Sequence, residues 1–230
     1  MKILALDTAT EALSVSLAID DRQIDRYAEI DRGHAEQLLP LVEAVLAEGG
    51  IALASLDAIA FGRGPGGFTG VRLAASVAQG LAFGAGVGVV PVSDLAAVAQ
   101  RVVVDDPGLA EVLVVNDARM REVYWARFTI RSHLICVVGE ERVDPPAAVA
   151  AAVGALVPAG RWAAAGRGLR AWPELAETCG GAGAILRPDL LPRASEVLTL
   201  ARAEIEAGRV LDPTQALPVY VRNRVAEPPV

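Results

Sequence analysis

The chain has 230 residues and a formal net charge of −7, with 21 Lys and Arg against 28 Asp and Glu. Hydrophobic residues make up 53%, aromatics only 4% and charged residues 21%, which supplies an aliphatic core and excludes wholesale disorder. An acidic surface repels phosphate backbones, so the chain by itself is a poor holder of nucleic acid.

From the start, Ile3 to Leu6 reads as a short buried strand, Asp7 to Glu11 as a polar turn, Leu13 to Ile19 as a second strand and Gln23 to Ile30 as a third, edge-like one. Met1 and Lys2 lead straight into the first strand, too short a lead for a signal peptide. Ala35, Leu38, Leu39, Val42, Val45 and Leu46 then recur at helical spacing up to Gly49 and Gly50, with Pro40 expected in the first turn or at a kink. Leu56 to Phe61 is a continuous apolar strand feeding the glycine-rich stretch Gly62 to Gly70; Thr69 is the expected N-cap of a helix to about Phe83. A strand over Val87 to Val92 and a helix over Asp94 to Val104, capped by Ser93, complete a β-β-β-α-β-α-β-α order. The stretch from Leu73 to Pro91 is broken by Ser76, Gln79 and glycines, so it reads as soluble core and no membrane span is expected.

Asp105 to Gly108 is the expected boundary between halves. Beyond it, Glu111 to Asn116, Val123 to Ile130 and Leu134 to Val138 read as three more antiparallel strands. A helix over Ala147 to Leu156, a strand over Trp162 to Ala165 and a helix over Ala194 to Ala207 follow. Cys136 and Cys179 form no CxxC pair and read as small buried hydrophobes in a reducing compartment.

Three constellations bear on chemistry. A strand, glycines and a helix start, as in Gly62 to Gly70, can present backbone N–H groups to an anion. Phe68 stands where a phosphate-loop lysine belongs, and tight turning or close backbone contact is the competing use of those glycines. Asp7, Thr8 and Thr10 between two strands resemble the metal–phosphate hairpin of actin-like ATPases and sugar kinases. The matching place in the second half, Asn116 to Arg121, has an acid but no glycines, and Gly166 to Gly168 is a meagre adenine-site loop. His34 has Leu38 a helical turn later, and His133 reads as part of a strand, so no histidine pair is available to a metal. Arg222 and Arg224 form a small basic spot near the end.

Five segments taken together resemble one family: Ile3 to Thr10 (ILALDTAT), His34 to Pro40 (HAEQLLP), Gly64 to Arg72 (GPGGFTGVR), Asp117 to Tyr124 (DARMREVY) and Pro218 to Asn223 (PVYVRN). Their order and spacing are similar to those of the TsaB (YeaZ) family, a bacterial subunit of the tRNA threonylcarbamoyladenosine machinery; the last two segments separate it from its catalytic paralogue TsaD. The resemblance implies an α/β actin-like (ASKHA) fold of two related subdomains, each a mixed sheet flanked by helices. It implies a division into residues 1–104 and 105–230, the last helix and tail free to pack back on the first part. The implied role is a cytoplasmic, non-catalytic scaffold that binds and supports TsaD, homodimerises when alone and has no peptidase activity. The complex transfers a threonylcarbamoyl group to N6 of the adenosine 3′ of the anticodon in ANN-decoding tRNAs. TsaD supplies the metal site and TsaE an ATPase. ATP is thus used by the complex, while this chain is assigned no catalytic, cofactor or metal residue and meets tRNA only through the complex. In the family the first two helices form the partner face. Here that names His34, Leu38, Leu41, Val42, Val45, Phe68, Val71, Ala74, Ala75, Ala78, Leu81 and Ala82, with Ala75→Glu or Ala78→Glu expected to harm association more than folding. An ATP-dependent kinase-like enzyme of the actin-like class is the alternative.

Overall fold

A computed structural model describes residues 1–155 and 160–222. The chain forms two compact units, one of Met1–Arg101 with Leu191–Pro218 and one of Val102–Leu190 with the segment from Val219.

The first unit is built on a five-stranded sheet in the order β3-β2-β1-β4-β5. Its strands are β1 (Lys2–Asp7), β2 (Ala12–Ile19), β3 (Arg22–Glu29), β4 (Ala58–Gly62) and β5 (Gly88–Val92). β1 to β3 are antiparallel neighbours, with Leu4 opposite Leu17, and β4 and β5 add in parallel on the other side of β1, with Leu4 beside Ile59. Side chains alternate across the sheet, so each strand serves two cores. On one face Leu4, Leu6, Val15 and Phe61 meet α1 (His34–Gly49) and α2 (Phe68–Ala85). On the other, Ile3, Ala5, Ala60 and Val90 meet α7 (Ala194–Glu206) and Ala97 of α3 (Asp94–Asp105). Small strand residues on that second face let α7 approach closely, and Ala194 N donates to Ser14 Oγ at 2.9 Å to fix its start.

The second unit repeats this plan. Its sheet runs β10-β9-β6-β7-β8, made of β6 (Glu111–Asp117), β7 (Val123–Arg131), β8 (Leu134–Asp144), β9 (Trp162–Ala165) and β10 (Ile185–Arg187). Three antiparallel strands are again followed by two parallel ones on the far side of the first. Helices α4 (Pro146–Ala155) and α6 (Pro173–Gly181), with the short α5 (Gly168–Ala171), cover one face through Val149, Val153, Leu169, Leu175 and Cys179. Two mixed sheets of one topology with flanking helices are the actin-like (ASKHA) arrangement.

Several sequence expectations are corrected. Of the two placements expected for Pro40, the first turn is ruled out: it lies further inside α1, at an exposed position. Gly67, and not Thr69, is the N-cap of α2, and Thr69 makes no capping bond. β8 runs on to Asp144, and α5, α6 and β10 had not been foreseen. Cys136 is exposed on edge strand β8, while Cys179 is buried and its thiol is pushed up to about 11 by burial. His133 sits in the β7–β8 turn with φ 67° and not in a strand. Leu156, Asn223 and Arg224 lie outside the described residues. Among the described residues no helix is long and apolar enough to cross a membrane.

Candidate functional site

β1 ends at Asp7, and the turn Thr8 to Glu11 follows; β4 ends at Gly62 and leads into the glycine-rich turn before α2. These two turns are packed backbone to backbone. Gly67 N donates to Ala9 O at 2.7 Å, and Thr8 Oγ1 donates to Gly70 O at 2.7 Å. A Cβ placed on Gly70 would lie 1.9 Å from Thr8 O, and one on Gly66 would lie 2.6 Å from Ala9 O. Real carbon atoms do not come that close to a backbone oxygen, so glycine is required there by contact with the hairpin.

This contact supports the second use of the turn, close backbone packing. An anion cradle needs free N–H groups. Here Arg63 N donates to Val92 O at 2.8 Å, Gly64 N to the Asp94 carboxylate and Gly67 N to Ala9 O. Those amides are satisfied inside the fold. The peptide bond between Gly64 and Pro65 is cis.

Beneath the turn lies a pair of carboxyls that the sequence reading did not bring together. Asp7 and Asp94, the latter the first residue of α3, are both fully buried. Asp7 Oδ1 accepts from Ala9 N at 2.9 Å, and Asp94 Oδ2 accepts from Gly64 N. Among the described residues, the two remaining oxygens, Asp7 Oδ2 and Asp94 Oδ1, have no other hydrogen-bond partner. Both stand 2.6 Å from where a Gly62 Cβ would be, and they bond to each other once a proton lies between them. Burial raises both carboxyls, and the charge of Asp7 drives Asp94 higher still, well above the ordinary value. Both shifts favour a proton held within the pair, where it links the two carboxyls. Asp7 Oδ2 thus faces Asp94 inside the fold. His34, at the start of α1, donates from Nε2 to Thr10 O at 3.0 Å, and its charge favours the ionised form of Asp7.

The second unit uses glycine at the equivalent place, after its fourth strand. A Cβ on Gly166 would lie 2.4 Å from Val115 O and 2.5 Å from Asn116 Oδ1; one on Gly168 would lie 2.7 Å from Val115 O. The glycines expected to form an adenine-site loop thus press on the end of β6. Asn116 is buried there, and among the described residues neither its Oδ1 nor its Nδ2 has a hydrogen-bond partner.

The side chains named for a partner face fall into two groups. Leu38, Val42 and Val45 of α1 and Val71, Ala74, Ala75, Ala78 and Ala82 of α2 are all at most 2% exposed, packed on their own sheet. The helical period that makes them a stripe turns that stripe inward. A glutamate at Ala75 or Ala78 would be buried, so folding is harmed first, contrary to the sequence expectation. His34, Leu41 and Leu81 are half-buried, and Phe68 is 54% exposed with the Arg72 guanidinium 3.4 Å over its ring. Leu39 at 46% and Phe83 at 76% are large exposed apolar residues on the same two helices that the sequence reading did not name.

Comparison with known proteins places this geometry. The chain is 40% identical over 229 residues to the tRNA threonylcarbamoyladenosine biosynthesis protein TsaB of Escherichia coli K12, covering 98% of this chain and 96% of that protein. The chain belongs to the TsaB family. Its relative in Haemophilus influenzae, also a tRNA threonylcarbamoyladenosine biosynthesis protein TsaB, is 35% identical, with 98% of this chain and 95% of that protein covered. Residues 28–171 match the family model described as TsaD, tRNA N6-adenosine threonylcarbamoyltransferase. Among solved structures, YeaZ from Pseudomonas aeruginosa is 42% identical with a TM-score of 0.83 over 95% of this chain and 99% of that one. A second structure, of an uncharacterized Pseudomonas aeruginosa protein with similarity to peptidase YEAZ, gives 0.85 at 42% identity over 96% and 99%.

Proposed function

We propose that this chain takes part in tRNA threonylcarbamoyladenosine biosynthesis as a non-catalytic subunit that binds and supports the TsaD transferase. The observation that carries the reading is the state of the first unit's turn. The place where an actin-like enzyme would seat phosphate is filled by Gly66, Gly67 and Gly70 against Thr8 and Ala9, and the acid beside it is tied to Asp94. End-to-end similarity to TsaB proteins supplies the pathway.

The partner face we assign is the outer side of α1 and α2: Leu39 with Phe68, Arg72 and Phe83, flanked by the half-buried Leu41 and Leu81. Large apolar side chains exposed on two helices over one sheet face fit a helix-on-helix partner. The same surface serves a second copy of this chain when TsaD is absent. ATP and TsaE act on the complex, and this chain alone holds neither cofactor nor metal.

The test is gel filtration and calorimetry of this chain mixed with TsaD from the same organism, with transfer to tRNA measured with and without it. A stoichiometric complex and transfer that depends on this chain are expected. No complex, or threonylcarbamoyl transfer by this chain alone, overturns the reading.

A further inference from the structure

After β6 the chain turns through three consecutive non-glycine residues in the left-handed region: Arg119 with φ 59°, Met120 with 53° and Arg121 with 60°. Side-chain-bearing residues adopt this conformation singly and rarely in runs, and such strain persists where neighbours hold it in place for a purpose. Here Arg222 holds it. Its guanidinium donates to Ala118 O at 3.1 Å and to the Glu122 carboxylate at 2.5 Å, lies 3.4 Å from Met120 Sδ and stands 6.0 Å from the centre of the Tyr124 ring.

The turn held this way displays two cations with an apolar side chain between them. The Arg119 side chain is 87% exposed, Met120 is 66% exposed, and Arg121 is exposed as well. Arg119 also reaches Asp117 at 3.1 Å and Arg222 is neutralised by Glu122, whereas Arg121 has no carboxylate partner among the described residues. The turn is therefore a local positive excess on a chain whose net charge is −7.

We infer that the Arg119–Met120–Arg121 turn contacts the phosphodiester backbone of RNA when this chain works in the complex proposed above, on which the inference rests. Guanidinium forks match phosphate oxygens two by two. The thioether between them offers an apolar face to a ribose or base. The acidic remainder of the chain repels phosphates, so binding by the isolated chain is weak and confined to this turn.

The test titrates labelled tRNA into the complex of this chain with TsaD, wild type against the double variant Arg119→Gln, Arg121→Gln, at several salt concentrations. The complex is expected to elute unchanged. The dissociation constant for tRNA should rise roughly tenfold, and the slope of log affinity against log salt should fall by about two, one for each lost phosphate contact. Unchanged affinity and slope in an intact complex overturn the inference. So does loss of the complex itself, which would make the turn a protein contact, and so does ATP binding to the wild type that the variant loses, which would make it a nucleotide site. If wild-type chain and TsaD do not associate, the subunit reading fails. The same titration on the chain alone at low salt then decides the turn, with weaker binding by the double variant supporting it and equal or absent binding overturning it.

Discussion

Asp7 Oδ2 and Asp94 Oδ1 converge on the space left by the missing side chain of Gly62, where a Cβ would lie 2.6 Å from each. One carboxyl closes β1, the other opens α3, and Gly62 closes the strand between them. The pair brings three elements together at the base of the glycine-rich turn.

Because burial raises both carboxyls, they bind protons more tightly in the folded than in the unfolded chain. Stability from the pair is complete below the ordinary value of 3.8 and declines as pH rises through the raised values. Asp94→Asn keeps an acceptor for Gly64 N and gives Asp7 a permanent donor, so it should flatten that decline and match or exceed the wild type above neutral pH. Asp94→Ala leaves the Gly64 amide unpaired and should cost about 2–3 kcal/mol. Denaturant unfolding across pH checks both; a wild-type slope in the asparagine variant would break the account.

Gly70→Ala would put carbon 1.9 Å from the Thr8 carbonyl, a backbone atom that cannot move without the hairpin. We expect a loss of about 3 kcal/mol or more. Gly80, inside α2 and exposed, has nothing within 4 Å of its Cβ position. Gly80→Ala should stabilise the isolated chain by about 0.5–1 kcal/mol. Equal effects in unfolding midpoints would contradict this contrast.

Phe83→Glu and Phe68→Glu change exposed side chains and should leave the circular dichroism spectrum and melting temperature close to wild type. Each should weaken binding to TsaD tenfold or more, the behaviour of anchors at an interface centre. Ala78→Glu buries a charge under α2 and should unfold the chain. Calorimetric titration beside thermal melts separates the two classes, and an associating Phe83→Glu variant would remove Phe83 from the interface.

Arg222→Ala removes the guanidinium that bridges Ala118 O and Glu122 under the left-handed turn. The expected cost is about 1–3 kcal/mol, with faster amide exchange in Arg119 to Glu122. Unchanged exchange there would mean that the turn holds itself.

Much of this was legible in one dimension. Period-two and period-3.6 patterns located the three opening strands, α1 and α7, because burial on one face writes itself into residue spacing. The short α5 and β10 carry too few residues to show a period, and Pro173 at the start of α6 reads as a break until the helix is seen to begin there. The apolar stripe of α2 was visible from its residues, but spacing says which side chains align, not whether a sheet or a partner covers them. Asp94 looked like a helix-start residue, and nothing in its local pattern pairs it with Asp7.

The sequence by itself determined the family, the doubled α/β plan and the need for glycine after the fourth strand of the first unit, because these depend on composition, order and local backbone freedom. Only the tertiary structure decided what those glycines touch, that Asp7 is paired, and which residues of α1 and α2 remain exposed. Those are relations between segments far apart in the chain, set by the registers of β1, β4 and β5 and by the helices packed over them, and no local pattern encodes them.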